Sequence, residues 1–360
     1  MPPIPQNLIN LYETRTMIPY LAINPGVPMF LRNRLFTNVR TFDTKTIEID
    51  IKKGGRDTAV YVDRKSPGNL VEHDGYVSFA YKPPYSHEYK VLGPDDFRFR
   101  EPGENVYNYT PPAQQFSEKV SEDFADLDTR GNRLEELQAV DLVTTGKVIP
   151  RDKDGNAFPE IDYGMRESHK PVLAGTALWT DPSVKKNDII EQMEDWNTDL
   201  LVRDGTRSVG LVIMGRNAKK AFIRKMDPDD ETAGLNSVRV SRGEVDPIFL
   251  PEGIEYVGRF KEIGNAPIYC YTEWVRDPWT KQVRPLFPEN MVIMVGNGAR
   301  FDRNYGFIEN MNALRGLPRF PWMYNDPRGK GIETHLEFSP LLSLYEVDAI
   351  VAATVTEDVA

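Results

Sequence analysis

An α+β fold with an outstretched arm is what this sequence predicts, on three observations. A period-two run, Thr46 to Ile51, leads into paired glycines at Gly54-Gly55 and a proline- and glycine-rich return as far as Glu104. One long helical pattern follows, opened by Pro111-Pro112 and sustained to Val143. Beyond it, helical and strand-like runs alternate at the spacing of a compact domain, with Ser208–Met214 almost wholly apolar. An isolated hairpin is marginal in water without more strands, a helix or another surface beneath it. The arm is therefore expected to lie on a second copy of the chain.

Residues 1–42 are rich in proline and poor in helical periodicity, which reads as an extended arm. Arg15, Arg32, Arg34 and Arg40 stand against Glu13, a balance of +3. Leu8, Leu11, Ile18, Leu21, Phe30, Leu31 and Phe36 give this arm enough apolar surface to dock. In the strand that follows, Ile47, Ile49 and Ile51 share one face. Lys52 to Arg56 reads as a turn, because paired glycines admit positive φ, and Ala59–Val62 reads as the return strand. From Ser66 to Glu104, five prolines and four glycines point to short strands and turns.

In the long helix Phe116, Val120, Phe124, Leu127, Leu134 and Leu137 recur at three- and four-residue steps, interrupted around Gly131. Thr144-Thr145-Gly146 is its expected stop. A hairpin from Lys147 to Tyr163 turns at Asp154-Gly155. A second helix is expected from Asp181-Pro182 to Asp204-Gly205, with Ile189, Ile190, Met193, Trp196, Leu200 and Leu201 on its buried stripe. A buried strand at Ser208–Met214, a helix at Arg216–Met226 and strands at 255–260, 267–276 and 290–295 complete the compact part. The tail from Glu333 to Val355 alternates strand-like runs around Ser339-Pro340.

Composition narrows the function. At 360 residues the chain has room for two to three domains, and its 40% hydrophobic content argues against disorder. A single Cys270 precludes an internal disulfide framework and fits a reducing compartment. The N-terminal sequence lacks the basic and apolar regions of a secretory signal, and prolines break the early apolar run from Met17 to Leu31, so no membrane partner is expected. The 44 basic residues against 54 acidic ones leave a net charge of −10, which disfavours tight sequence-independent binding of nucleic acid over the bulk surface.

The motifs of catalysis and metal binding are incomplete. His73, His87, His169 and His335 show no zinc-ligand spacing on one element, and Cys270 has no partner cysteine. His87-Glu88 begins like a zincin helix but has no second histidine. Gly205 to Gly210 resembles a nucleophile elbow stretched by one residue, and its Ser208 precedes the strand instead of following it. Gly296-Asn297-Gly298 lacks the third glycine of a dinucleotide fingerprint. Asp152 to Asn156 starts like a calcium loop, yet the glycine comes early and Tyr163 stands where the bidentate glutamate belongs. Asp227, Asp229 and Asp230 read as a solvated loop. No catalytic, metal or cofactor-binding residue is singled out, and no cofactor is expected.

The order of features resembles one family, the major capsid proteins of tailed bacteriophages of the lambda type (capsid protein E), with an HK97-like fold. The resemblance rests on Leu35-Phe36 before the first strand, Gly54-Gly55-Arg56 on the arm, and Pro83-Pro84, Pro94-Asp95 and Pro102-Gly103-Glu104 on its return. It continues through Thr145-Gly146-Lys147, Ile161-Asp162-Tyr163-Gly164 and Trp179–Asp188. It closes on Trp322, Asp326-Pro327, Glu337 to Leu342 and Val347-Asp348-Ala349. Leu342 and Val347 depart from prolines common in the family. Each motif alone is weak; their order across the whole chain is specific.

The resemblance implies an N-terminal arm over 1–43, an extended loop over 44–103, a peripheral domain over 104–182 with 333–360 that holds the spine helix and C-terminal strand, and an axial domain over 183–332. It implies a non-enzymatic shell subunit whose main partner is itself, in pentamers and hexamers. Scaffold, portal and decoration proteins would be further partners, and decoration would stand in place of covalent cross-linking. The shell would enclose double-stranded DNA without reading its sequence and would assemble in the host cytoplasm as the virion capsid. Two rival readings remain at this point, a cargo compartment of the encapsulin type on the same fold and a soluble α+β enzyme using carboxylates.

Charge suggests a contact between copies. Over 52–65, Lys52, Lys53, Arg56, Arg64 and Lys65 oppose Asp57 and Asp63, a balance of +3. Over 118–141, eight acidic residues, among them Glu118, Glu122 and Asp126, oppose three basic ones, a balance of −5. The basic loop of one copy is expected near the acidic helix of the next or its surroundings, setting register more than affinity; the alternative is a solvated face on each.

Overall fold

The computed structural model describes residues 29–52, 76–97, 112–205, 207–226, 250, 253–260, 263–329 and 331–357. Its first element corrects the reading of residues 1–42 as wholly extended. Phe30–Arg34 forms helix α1, and Met29, Phe30, Leu31 and Phe36 are buried around it. Five residues cannot hold a helix alone; here the docked apolar side chains hold it. β1 (Asn38–Thr41) follows as an exposed edge strand.

β2 (Ile47–Lys52) and β3 (Tyr76–Tyr81) form the antiparallel hairpin, with Ile47 opposite Tyr81 and Ile49 opposite Phe79. The expected return strand at 59–62 and the glycine turn lie outside the described residues. Ile47 and Ile49 are buried in the central core. The Tyr81 ring stands 5.1 Å from that of Tyr163, and its hydroxyl donates to the Asp162 carbonyl at 3.1 Å. The base of the hairpin is therefore covered by its own chain, against the expectation that its isoleucine face finds no support there. β4 (Ser86–Leu92) narrows the outstretched segment further, because it pairs along its length with the tail strand Ile332–Phe338.

Helix α2 (Pro112–Thr145) has 34 residues and spans about 50 Å. Pro112 suits the first helical position, where an N–H would have no partner in the helix. Gly146 stops it with φ +74°, its N–H donating to the Leu142 carbonyl. A side chain there would also drive a Cβ to 2.4 Å from that of Met165. β5 (Lys147–Val148) and β6 (Ile161–Asp162) pair across the expected hairpin, with Gly155 at φ +88° near its tip. Helix α3 (Lys186–Asp195) begins later than the Asp181-Pro182 signal, because the Asp181 carboxylate instead binds the Ser183 backbone and hydroxyl. The Asp188 carboxylate caps its start by accepting the Lys185 N–H at 2.8 Å. The helix then continues to Asp204 with i→i+5 bonding from Trp196.

β7 (Val209–Met214) and helix α4 (Arg216–Met226) come next, then β8 (Ile254–Phe260), β9 (Ala266–Tyr271), β10 (Trp274–Arg276), β11 (Val283–Pro285) and β12 (Met291–Gly296). β13 (Phe301–Tyr305), β14 (Phe320–Asn325), β15 (Ile332–Phe338), β16 (Pro340–Leu344) and β17 (Ile350–Thr354) close the chain. The central sheet has the order β17-β12-β7-β9-β8, with β7 and β9 parallel and the other neighbours antiparallel. Both its faces are buried. Val212, Met214, Ile268, Val292 and Met294 pack with Trp179, Ile189, Met193 and Phe222 on one side. Leu211, Ile213, Tyr271, Ile293 and Val295 meet Phe30, Leu31, Ala139 and Val143 on the other.

Two smaller sheets flank α2. One has the order β1-β13-β16, with β1 and β13 parallel; the other has the order β14-β15-β4. Strand pairing crosses the boundary expected at 332/333: β13 and β14 pair with β16 and β15, and β17 joins the central sheet beside β12. β15 and β16 lie along α2, while β17 is an edge of the compact sheet.

Candidate assembly surfaces

The outward-facing parts of the molecule are held in place by polar groups buried along α2. Glu136 has no exposure, and its carboxylate accepts the backbone N–H groups of Leu31 at 2.8 Å and Arg32 at 2.9 Å. These are first-turn donors of α1, which have no partner within their own helix. A glutamate from one helix therefore caps another, a hundred residues earlier in the chain. The Tyr271 hydroxyl donates to the same carboxylate at 2.8 Å, joining β9 to the latch. Burial lifts the Glu136 carboxyl above its ordinary range, against the pull of the two backbone donors.

On the preceding residue, Glu135 is also fully buried and receives Arg319 at 2.6 Å, Arg32 at 3.3 Å and the Tyr305 hydroxyl at 3.1 Å. Arg319 reaches Asp128 at 2.9 Å and Asn132 at 3.0 Å, and its guanidinium lies 4.5 Å over the Phe338 ring. Burial works against the Arg319 charge, but Glu135 and Asp128 hold its pKa above the ordinary value. A Cβ on Gly131 would sit 3.1 Å from both the Arg319 guanidinium and the Phe338 ring. The glycine that interrupts the apolar pattern of α2 is the opening through which Arg319 enters.

This corrects the stripe expected on α2. Phe116, Val120, Phe124 and Leu127 are buried against Leu92, Ile332, Leu336 and Phe338. The buried face then continues through Asp128, Asn132, Glu135, Glu136 and Ala139, whereas Leu134 is 36% exposed. It also revises the charge count. Asp128, Glu135 and Glu136 are neutralised or bonded inside the molecule and present nothing to a neighbour.

Of the residues expected to touch a neighbouring copy, Lys53, Arg56, Arg64 and Lys65 lie outside the described residues, and Lys52 ends β2. Glu118 and Glu122 are exposed on α2. Asp126 binds Lys90 at 2.8 Å and Arg130 at 3.3 Å, and the Lys90 hydrogen bond leads in holding its carboxyl below the ordinary range. The structure therefore uses Asp126 to fasten β4 to α2, a role the sequence did not signal because Lys90 lies 36 residues earlier.

The sheet β14-β15-β4 is covered by α2 on one face. Its outer face carries Trp322 and Tyr324 from β14, Glu333, His335 and Glu337 from β15, and His87, Tyr89 and Val91 from β4. His335 is stacked between Trp322, 3.9 Å away at 4° between planes, and Tyr89 at 5.2 Å. Tyr89 and Val91 stay more than half exposed, and Tyr85 and Tyr324 nearly so. Glu337 beneath them is buried and accepts the Trp322 N–H at 2.7 Å, the Asn310 amide at 3.2 Å and the Tyr85 hydroxyl. Burial, then the Glu337 hydrogen bond, raises the Tyr85 pKa. The residues converging here come from β4 and from a stretch more than 200 residues later in the chain, so no local pattern could have named the surface.

Asp152 Oδ1 accepts the N–H groups of Asp154 at 2.9 Å and Asn156 at 2.8 Å, so the calcium-like stretch is a self-bonded turn. Cys270 is buried, and burial pushes its thiol up to about 11. Asp227, Asp229 and Asp230 lie outside the described residues. Among the described residues no three histidine, cysteine or carboxylate side chains converge as a metal-binding group, and no helix is long and apolar enough to cross a membrane.

A family model described as phage major capsid protein E matches residues 13–355. The major capsid protein of Escherichia phage lambda is 23% identical over 336 residues, covering 90% of this chain and 93% of that protein. That of Enterobacteria phage phi80 is 25% identical over 338 residues, with the same coverage. Among solved structures, a prophage capsid protein from E. coli CFT073 superposes with a TM-score of 0.68 at 16% identity, covering 96% of this chain and 99% of that one. The capsid of Ralstonia phage GP4 gives 0.53 at 12% identity, covering 91% and 87%.

Proposed function

The chain belongs to the phage major capsid protein E family, and from that premise we propose how its copies build a phage head. Its fold is the HK97-like capsid fold, and it is a structural shell protein. Copies overlap into pentamers and hexamers, and these close around packaged double-stranded DNA after assembly in the host cytoplasm. Contacts that repeat head to tail around symmetry axes close such a shell. Scaffold, portal and decoration proteins would act on it from outside this chain.

The observation that carries the reading is the one-sided sheet β14-β15-β4, whose outer face leaves Tyr85, Tyr89, Val91 and Tyr324 largely in water. Covering such a face with a neighbour stabilises the contact by about 25 cal/mol per Å² of apolar area removed from water. Overlapping copies resist rupture, because extracting one means peeling several contacts at once. A net charge of −10 suits a wall that should not hold its DNA tightly.

The basic stretch at Lys52, Lys53, Arg56, Arg64 and Lys65 supplies register by approaching Glu118 and Glu122 on the next copy. Each such rim pair contributes about 0–1 kcal/mol, so its effect is on orientation. Negative-stain microscopy of the expressed chain tests the main reading. Closed shells, or rings of five and six, are expected; a monomer at all concentrations would overturn it. An Arg56→Glu chain that still builds shells with normal yield and salt tolerance would remove the charge contact and leave the rest standing.

A further inference from the structure

His87 on β4 and His335 on β15 point ring nitrogens at each other across the strand pair, Nε2 to Nδ1 at 2.9 Å, with ring centroids 5.1 Å apart. On the far side of its ring, His335 Nε2 lies 3.1 Å from the Glu333 carboxylate. An ionised carboxylate only accepts, so that nitrogen carries the hydrogen and His335 Nδ1 is left with its lone pair facing His87. This is the arrangement of a metal-ligating histidine, whose second nitrogen donates to a carboxylate that fixes its tautomer.

From this we propose that His87 Nε2 and His335 Nδ1 form a two-histidine clamp for a divalent transition-metal ion such as Zn2+. Two imidazole nitrogens on a tetrahedral zinc stand about 3.3 Å apart, from bond lengths of about 2.0–2.1 Å. The pair must open by about 0.4 Å, and His87 has room to do so, since its side chain is 38% exposed. His87 then moves its hydrogen from Nε2 to Nδ1, so the neutral pair exchanges one shared hydrogen for a metal without losing a proton.

Charge favours the ion. Glu337 is 4% exposed, and the basic group paired with it among the described residues is His87, with Nε2 3.8 Å from its Oε1. Its oxygens are already held by the donors from Trp322, Asn310 and Tyr85, so it balances charge without ligating. No third protein ligand converges there among the described residues, and solvent completes the coordination on the exposed His87 side. Nitrogen ligands select Cu2+, Ni2+ and Zn2+ over Mg2+ and Ca2+. Bound metal ties β4 to the tail strand β15, and it does so whether or not the shell reading holds.

The test uses the purified full chain without a histidine tag. Zn2+ is expected to bind at one equivalent by calorimetry. At free Zn2+ about 100 times its dissociation constant, the folding equilibrium shifts about 100-fold toward the folded chain. Mg2+ and Ca2+ should do neither. A folded His87→Gln chain should lose both effects; equal binding by it, or no saturable binding by the parent, overturns the clamp. A second readout needs no histidine variant. Because Trp322 stacks 3.9 Å from His335, Cu2+ should quench a saturable part of the emission that Trp322→Phe lacks. Absence of that component also overturns the proposal.

Discussion

The central sheet and the sheet β14-β15-β4 solve the same problem to different degrees. Helices α3 and α4 cover one face of the five-stranded sheet, while α1 and α2 cover the other, so β7 alternates Leu211 and Ile213 with Val212 and Met214 into two apolar clusters. The three-stranded sheet has α2 on one side and water on the other. The first is complete within a single chain. The second is complete only on the helix side, and beside Glu333 and Glu337 its outer face carries Trp322, Tyr324, Tyr89, Val91 and two histidines. The contrast separates a sheet closed within the chain from one left open on a face.

The largest expected effect comes from breaking the link between the two regions. Arg319→Ala takes the arginine from buried Asp128 and leaves Arg32 as the cation beside Glu135, and removing one partner of such a network costs about 3–5 kcal/mol. Chemical denaturation should show it, with the chain unfolded or reduced to a residual folded fraction. Phe222→Ala probes the complete side. It empties a site with no exposure between Trp179 and Phe260, at a cost of about 3–5 kcal/mol. A loss under about 1 kcal/mol would mean that this cluster collapses freely and that the two sheets differ less than their burial implies.

A smaller effect is tied to pH. Burial raises the Asp141 carboxyl near the end of α2 to about 6, with Arg284 and Arg151 pulling the other way. A carboxyl whose folded pKa lies above its unfolded value of about 4 binds more protons when folded. Its contribution is therefore most favourable below about pH 4 and is lost as pH rises to about 6. Asp141→Asn should flatten that slope and stabilise the chain at pH 7 by about 1–2 kcal/mol. An unchanged pH profile would show that the side chain reaches solvent.

The smallest effect on the chain should be the most informative for assembly. Val91→Glu lies on the exposed face of β4, where surface changes usually stay within about 0.5 kcal/mol of neutral. Its unfolding midpoint should hardly move, while the yield of closed particles by sedimentation should fall. If both stay unchanged, the outer face is solvated in the assembled state, and the contact lies elsewhere.

Several features are legible in the residues alone because they are local. Pro112 and Gly146 bracket α2, the apolar run at β7 marks a strand buried on both sides, and Gly155 turns the β5–β6 hairpin. Others escape a local reading for a definite reason. Hydrophobicity places Leu134 on the buried stripe, but the geometry of α2 carries the buried face through Glu135 and Asn132 instead. Acidic residues that count as surface charge in the sequence hold Arg319 and the start of α1 in the fold. His87 and His335 have no spacing in common, since the strand pairing that joins them spans 248 residues of chain.

The order of residues is thus enough to set the class of fold, the long helix and its ends, and the strand that lies between two helical layers. Each depends on periodicity, φ preference and capping within one or two turns of the chain. Which carboxylates are buried, that Gly131 admits an arginine, and which sheet face stays uncovered were settled by the packed molecule. Those depend on segments meeting across a hundred residues or more, where burial and charge are set by neighbours that no local pattern names.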